Sequence, residues 1–175
     1  MRSGKLKIVL FGDPVLRQKA KPVTVFHKKL GELIDSMAAA LRASGEGAAL
    51  AANQVGVLKR ITVIEYEGEY FEMVNPEIIE SEGSGQDYEG CLSLPGYAGM
   101  VERFTKIKVK YFDRDGKENV IEREGKMARC IQHELDHLDG ILYIDRMKEE
   151  FLVNNEDDDK LEVSVVMKTA GPRPE

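Results

Sequence analysis

Two of the three histidines in this 175-residue chain stand four positions apart, in His133-Glu134-Leu135-Asp136-His137. The run around them, Lys126 to Leu138, holds good helix formers and ends against Gly140, a residue type that closes helices in the left-handed conformation. On a helix, positions i and i+4 share one face, so both imidazoles can reach a single metal ion. The chain must then fold so that this helix borders a site open to substrate, with Glu134 placed to address a water molecule at the ion. The competing reading, two surface histidines beside ordinary helical acids, makes this pairing a coincidence.

Two imidazoles do not complete such a centre, which takes three protein ligands and keeps a fourth position open. One class of protease helix supplies another histidine six residues after the second; here that position is Tyr143, although Gly140 imitates the pattern. A distant carboxylate or a thiolate remains. Cys91 lies in the turn-like Glu89-Gly90-Cys91-Leu92-Ser93-Leu94-Pro95 and is either a ligand or a small buried hydrophobe; Gly90 lets the backbone approach an ion closely. Cys130, three residues before His133 on the same helix face, either packs in the core or lines a pocket beside the ion. Two cysteines in a reducing compartment point to such roles rather than to a disulfide. Glu89 and Asp136 are candidates to accept the second N–H of a ligating imidazole. His27 reads as a surface or capping residue with no role in the site.

The remaining patterns predict a mixed fold. Apolar residues at Phe26, Leu30, Leu33, Ile34, Met37 and Leu41 mark one face of a helix. Residues 48–54 are small and fit either helix or strand. Ile61 to Tyr66 and Tyr70 to Val74 form a hairpin about Glu67-Gly68-Glu69, Glu77 to Glu80 adds a strand, and 81–86 reads as a polar loop. Lys106 to Phe112 and Glu118 to Glu122 form a second hairpin. Asn154 to Asp159 is an acidic turn, Leu161 to Val166 is strand-like, and 168–175 is a flexible tail. Length fits one domain over 1–175. The stretch Ile8 to Phe11 is too short for the apolar part of a signal peptide and no apolar run approaches a membrane span, so a cytoplasmic protein without a membrane partner is expected. A net charge of -6 argues against a DNA footprint.

Three segments together resemble peptide deformylase. Gly47 to Gln54 is similar to its Gly-x-Gly-Leu-Ala-Ala-x-Gln motif, Glu89 to Ser93 to its Glu-Gly-Cys-Leu-Ser, and Gln132 to His137 to its Gln-His-Glu-x-Asp-His, in the same order along the chain. Phe11 to Arg17, Asn75-Pro76-Glu77 and Asp139-Gly140 add weaker agreement. The resemblance implies an α+β fold with antiparallel sheets packed around the helix of His133 and His137, and a helix near the N-terminus. It implies Cys91, His133 and His137 as metal ligands, Glu134 as general acid and base, and Gln54 with the Leu92 N–H as donors to the formyl oxygen. Gly47, Ala48, Ala49, Gly90, Arg129 and Cys130 would border the substrate. The cofactor would be one divalent metal, Fe2+ in the cell, with Zn2+, Ni2+ or Co2+ accepted.

The activity so implied is removal of the formyl group from the N-terminal methionine of new polypeptides, releasing formate. The ion makes water acidic enough to attack at neutral pH, Glu134 takes the proton and later gives it to the departing amine, and the oxyanion is met by Gln54 and Leu92. The sequence departs from the family at Ala49, where a glycine is usual, and at Ala48, where a larger aliphatic is usual. A methyl at Ala49 would crowd a substrate strand and Ala48 would widen a side-chain pocket. Arg129 stands where some members carry an apolar pocket residue. The acidic C-terminal segment replaces the basic helix with which some bacterial members dock on the ribosome, so ribosome contact by that route is not expected. The alternatives are a metallopeptidase cutting internal peptide bonds and a non-catalytic module that keeps the ion for structure.

Overall fold

The strand Ile61-Thr62-Val63-Ile64 is buried at every position, so both of its faces must be covered. The computed structural model describes residues 5–175 and shows what covers them. A five-stranded antiparallel sheet has the order β1 (Ala49–Ala51), β2 (Ile61–Tyr66), β3 (Glu69–Glu82), β6 (Lys106–Phe112), β7 (Glu118–Glu124). On one face Leu50, Ile61, Val63 and Val74 meet Leu30, Ile34, Met37 and Leu41 of α1 (Lys28–Ser44). On the other, Ala49, Ile64, Met73, Ile107 and Val109 meet Met127, Ala128, Ile131 and Leu135 of α2 (Gly125–Leu138). The three-and-four spacing of these helical residues turns each helix's apolar stripe onto the sheet, and each large side chain so buried contributes roughly 1.5–3 kcal/mol.

From Ile131 to Leu138 every residue of α2 is buried, polar ones included. A second antiparallel sheet encloses this half of the helix. Its order is β4 (Gly85–Cys91), β5 (Leu94–Arg103), β8 (Phe151–Asn154), β9 (Lys160–Glu162). Arg129 donates to the carbonyls of Val101 and Gly85, and the Gln132 amide exchanges hydrogen bonds with both backbone groups of Phe104, so α2 is fastened to this sheet by polar contacts. The architecture is the α+β arrangement of antiparallel sheets about a central helix that the resemblance implies.

The local readings hold with instructive exceptions. His27 caps α1, its Nδ1 accepting from the Leu30 N–H at 3.2 Å. The first hairpin turns through Glu67 and Gly68, both at positive φ, which matches the twist of the strands it joins. The ambiguous 48–54 segment is a short strand followed by a 3-10 turn at Ala52–Val55. The polar loop expected at 81–86 is instead the end of β3 and the start of β4, and Cys91, expected in a turn, is the last residue of β4 before the two-residue turn Leu92-Ser93. The strand expected over 161–166 ends at Glu162, and α3 (Val163–Ala170) follows. Val163, Val166, Met167 and Ala170 recur at helical spacing, and packing against Leu16, Tyr143 and Leu152 selects the helix over the β preference of valine. Beyond α3, Gly171 O accepts from Arg17 Nε and Glu175 O from Lys19 Nζ. The first four residues, part of the N-terminal stretch read as lacking a signal peptide, lie outside the described residues.

The end of α2 is set by Gly140. It adopts φ 72°, donates to His137 O at 3.0 Å, and the next residue, Ile141, donates to Asp136 O at 2.9 Å, which satisfies the last helical carbonyls. A Cβ here would also stand 2.9 Å from the carbonyl oxygen of Arg17. Gly140→Ala is therefore expected to destabilise the fold by at least about 1–2 kcal/mol, the cost of a left-handed residue with a side chain; a drop in the urea midpoint with unchanged slope checks this.

Candidate metal centre and substrate cleft

α2 presents His133 and His137 one turn apart, with ring centroids 5.0 Å from each other, and the end of β4 brings Cys91 to them. One donor atom from each of the three lies within 4.8 Å of the other two, and Cys91 Sγ is 3.4 Å from His137 Nε2. Two donors bonded at 2.0–2.3 Å to one tetrahedral ion stand about 3.5 Å apart, so the spacing fits.

The ring orientation of His133 is fixed from behind. Its Nδ1 lies 2.8 Å from Glu89 Oε1, and since a carboxylate only accepts, the proton is on Nδ1 and Nε2 is left as the donor to an ion. Glu89 is held by the Arg103 fork, two bonds of 2.8 Å, and by Arg129 Nη1 at 2.7 Å. Arg103 also donates to Asp136, which receives a second fork from Arg146. Burial alone would raise the Glu89 carboxyl, but hydrogen bonds from Arg103 and His133 reverse this and hold it well below the usual carboxylate range. Burial likewise disfavours charge on His133, yet its bonds to Cys91 and Glu89 outweigh that and raise it: the surroundings draw positive charge to this spot. His137 is kept neutral by burial and by His133 beside it, the form that binds a metal. Tyr143 stacks on His133, with centroids 5.8 Å apart.

Glu134 is buried next to this cluster, with one carboxylate oxygen, Oε2, that has no hydrogen-bond partner. Burial raises its pKa to about 7, helped by the negative charge of Glu89, which suits a group that must take and return a proton near neutrality. Gln54 is buried as well. Its Oε1 accepts from the Ala51 N–H at 2.9 Å, which assigns the amide unambiguously and turns Nε2 toward Ser93 Oγ (3.1 Å) and Cys91 Sγ (3.5 Å). The N-terminal segment clamps both sides, Val9 N–H donating to Gln54 O and Phe11 N–H to Ser93 O.

These groups open into a cavity of 870 Å³, lined by Gln54, Cys91, Leu92, His133 and Glu134. Gly47, Ala48, Ala49, Gly90, Arg129 and Cys130 border it too, so all the residues proposed for substrate contact meet there, while His137 lies behind. A Cβ at Gly47 would come 2.5 Å from Leu92 Cδ1, which explains the glycine. Ala49 both borders the cavity and packs in the core. Side chains alternate across β1, Leu50 facing α1 and Ala49 facing α2, so the methyl is absorbed by the core rather than projected along the strand edge. Arg129 spends its guanidinium on Glu89, Val101 and Gly85. Cys130 is a part-buried thiol whose pKa is raised by desolvation, so it behaves as an apolar wall.

The sequence reading missed Arg103, Tyr143 and the Asn155-Glu156 edge of the cavity. No sequence signal marks Arg103: only once β5 is formed does it share the buried parity of Gly99 and Val101, where an arginine needs partners.

A thiolate and two imidazoles around one point, with a buried carboxylate in an open cleft, define a mononuclear metallohydrolase. A sequence model described as polypeptide deformylase matches residues 5–151. The chain is 51% identical over 142 residues to the peptide deformylase of Heliobacterium modesticaldum, covering 81% of this chain and 93% of that one. Its fold is similar to the crystal structure of peptide deformylase from Thermotoga maritima, with TM-score 0.80, 42% identity, and coverage of 82% of this chain and 98% of that one. It is similar also to the Synechococcus elongatus peptide deformylase in complex with actinonin, with TM-score 0.82, 35% identity, and 98% and 88% coverage. The chain belongs to the polypeptide deformylase family: it is a metal-dependent hydrolase that removes the formyl group from newly made polypeptides and releases formate.

Two outcomes are expected. Arg103→Met leaves the Glu89 and Asp136 carboxylates short of their buried partner and costs about 3–5 kcal/mol, read as a lower urea midpoint. Ala49→Gly leaves the KM for a formyl peptide unchanged while lowering stability by about 0.5–1 kcal/mol, since Ala49 borders the cleft but is buried against the core on the α2 side of β1.

Proposed function

We propose that Cys91, His133 and His137 hold one divalent ion, Fe2+ in the cell, with Zn2+, Ni2+ or Co2+ able to take its place. The support is chemical: one thiolate with two neutral imidazoles suits borderline and soft transition metals and not Mg2+ or Ca2+. Such an ion supplies Lewis acidity, polarising the formyl carbonyl and bringing water within reach of a base at neutral pH.

The chain's own groups do the rest. Glu134 takes the proton of the attacking water on its unpartnered oxygen, holds it in a water-poor floor, and returns it to the amine nitrogen as the C–N bond breaks. The Gln54 Nε2–H and the Leu92 N–H meet the negative oxygen of the tetrahedral species, Gln54 being pre-set by Ala51. Gly47, Ala48 and Ala49 offer a sheet edge to the substrate main chain, since among the described residues β1 pairs only with β2. Gly90, Arg129 and Cys130 form the wall for the methionine side chain. The observation that carries this assignment is the buried, unpartnered Glu134 oxygen in the same cavity as Cys91 and His133.

We further propose that the described residues form one domain acting in the cytoplasm on nascent chains, without DNA. Among the described residues no helix is long and apolar enough to cross a membrane. α3 carries Lys168 as its one cation, so any ribosome contact does not use a basic C-terminal helix.

Glu134→Ala is expected to keep its metal by elemental analysis while formate release falls by about 10²–10⁴-fold. Activity persisting in that variant overturns the proton-transfer role. Formate from formyl-Met-Ala-Ser, with no cleavage of the unformylated peptide, separates this function from internal peptide hydrolysis.

A further inference from the structure

The two imidazoles of the donor set are not held alike. Each uses Nε2 toward the shared point, so each carries its proton on Nδ1 and must place that proton on an acceptor. For His133 the acceptor is Glu89, at 2.8 Å. For His137, whose Nε2 stands 3.4 Å from Cys91 Sγ, Nδ1 is buried and has no hydrogen-bond partner among the described residues. A buried imidazole N–H without an acceptor is costly, and a ring whose orientation nothing fixes is a weaker metal ligand.

An acceptor of the right kind is already beside it. Asn53 is fully buried in the 3-10 turn Ala52–Val55, and its Nδ2 donates to the backbone carbonyl of His137. That bond fixes which way the amide lies, since the opposite orientation would set two acceptor oxygens against each other. Asn53 Oδ1 is then buried and, among the described residues, unpartnered as well. One donor and one acceptor, each without a partner, thus belong to two residues that are bonded to each other behind the cavity floor. The other two buried side-chain atoms of this kind lie elsewhere in the site: Glu134 lines the cavity, and the Tyr143 ring stacks on His133.

We propose that Asn53 is the positioning residue of His137: in the metal-loaded protein its Oδ1 accepts the Nδ1 proton while its Nδ2 holds the carbonyl of the same residue. Two bonds from one amide then fix both the backbone and the ring of that ligand. Because Asn53 precedes Gln54 in the same turn, the clamp also sets the ion against the amide that meets the oxyanion. The inference rests on Cys91, His133 and His137 as the donor set. Asn53 acts through His137 and Gln54 and not on the substrate, so its loss is felt in metal affinity and kcat rather than in KM.

The test uses the Zn2+-loaded protein, whose imidazole protons are read by NMR. Two Nδ1–H resonances protected from exchange with water are expected, one from His133 and one from His137. Asn53→Leu is expected to lose the second and keep the first, to bind Zn2+ about 10–100-fold more weakly in competition with a chelator, and to lower kcat with KM unchanged. Asn53→Asp, which keeps an oxygen in place of Oδ1, is expected to retain the resonance. A His137 Nδ1–H that exchanges freely in the wild-type protein overturns the proposal, and this measurement decides even if a variant folds poorly. A resonance kept in Asn53→Leu and lost in Tyr143→Phe overturns it too, by giving the proton to the tyrosine. Failure of the wild-type protein to take up one equivalent of Zn2+ would instead overturn the donor set itself.

Discussion

The buried Glu89 carboxylate is the interaction on which the site depends. It accepts from His133 Nδ1, from both ends of the Arg103 fork and from Arg129, and so joins β4, β5 and α2 at one point. Burying these charges is costly, and the arrangement is tolerable because the partners are present with good geometry. Its effect is chemical as well as structural. With its proton fixed on Nδ1, the imidazole can present only Nε2 toward Cys91 and His137. A single bond from Arg103 to Asp136, and the fork from Arg146 to Asp136, extend the same restraint to the helix turn between the two histidines.

Around that point the fold separates the tasks. The five-stranded sheet and its two helices supply the apolar packing, and the β4–β5 hairpin supplies the thiol. The short edge strand β1 and the turn at Ala52–Val55 supply the amide of Gln54 and an open backbone edge. Glu134 and His133 are adjacent in sequence yet differ in environment. His133 is surrounded by groups that stabilise positive charge, whereas Glu134 has burial and a neighbouring anion, which destabilise its own negative charge. One helix thus carries both a metal ligand and a carboxyl poised to exchange a proton.

Much of this was legible in the sequence. The helix from 126 to 138, the hairpin about Gly68 and the pairing of His133 with His137 follow from local periodicity and turn chemistry. The β4–β5 hairpin was not legible, because its glycines and charges show no alternation; it exists through pairing across the sheet and through Arg129 and Gln132 on α2. α3 was misread as strand because valines suit both states until burial against Leu16 and Tyr143 selects one. Arg103 and Glu156 belong to the site through placement alone, and no motif marks them.

The sequence by itself determined part of the donor set and its chemistry: two imidazoles on one helix face with a carboxylate between them, fixed by residue type and short-range spacing, and two thiols from which a third ligand could come. Only the tertiary structure decided that Cys91 rather than Cys130 meets the imidazoles, that Ala49 turns its methyl into the core, and that an acidic turn borders the cleft. The reason is range. Helical spacing acts over a few residues, whereas the meeting of positions more than 40 apart depends on strand register and on the buried ion pairs that hold the two sheets about the helix.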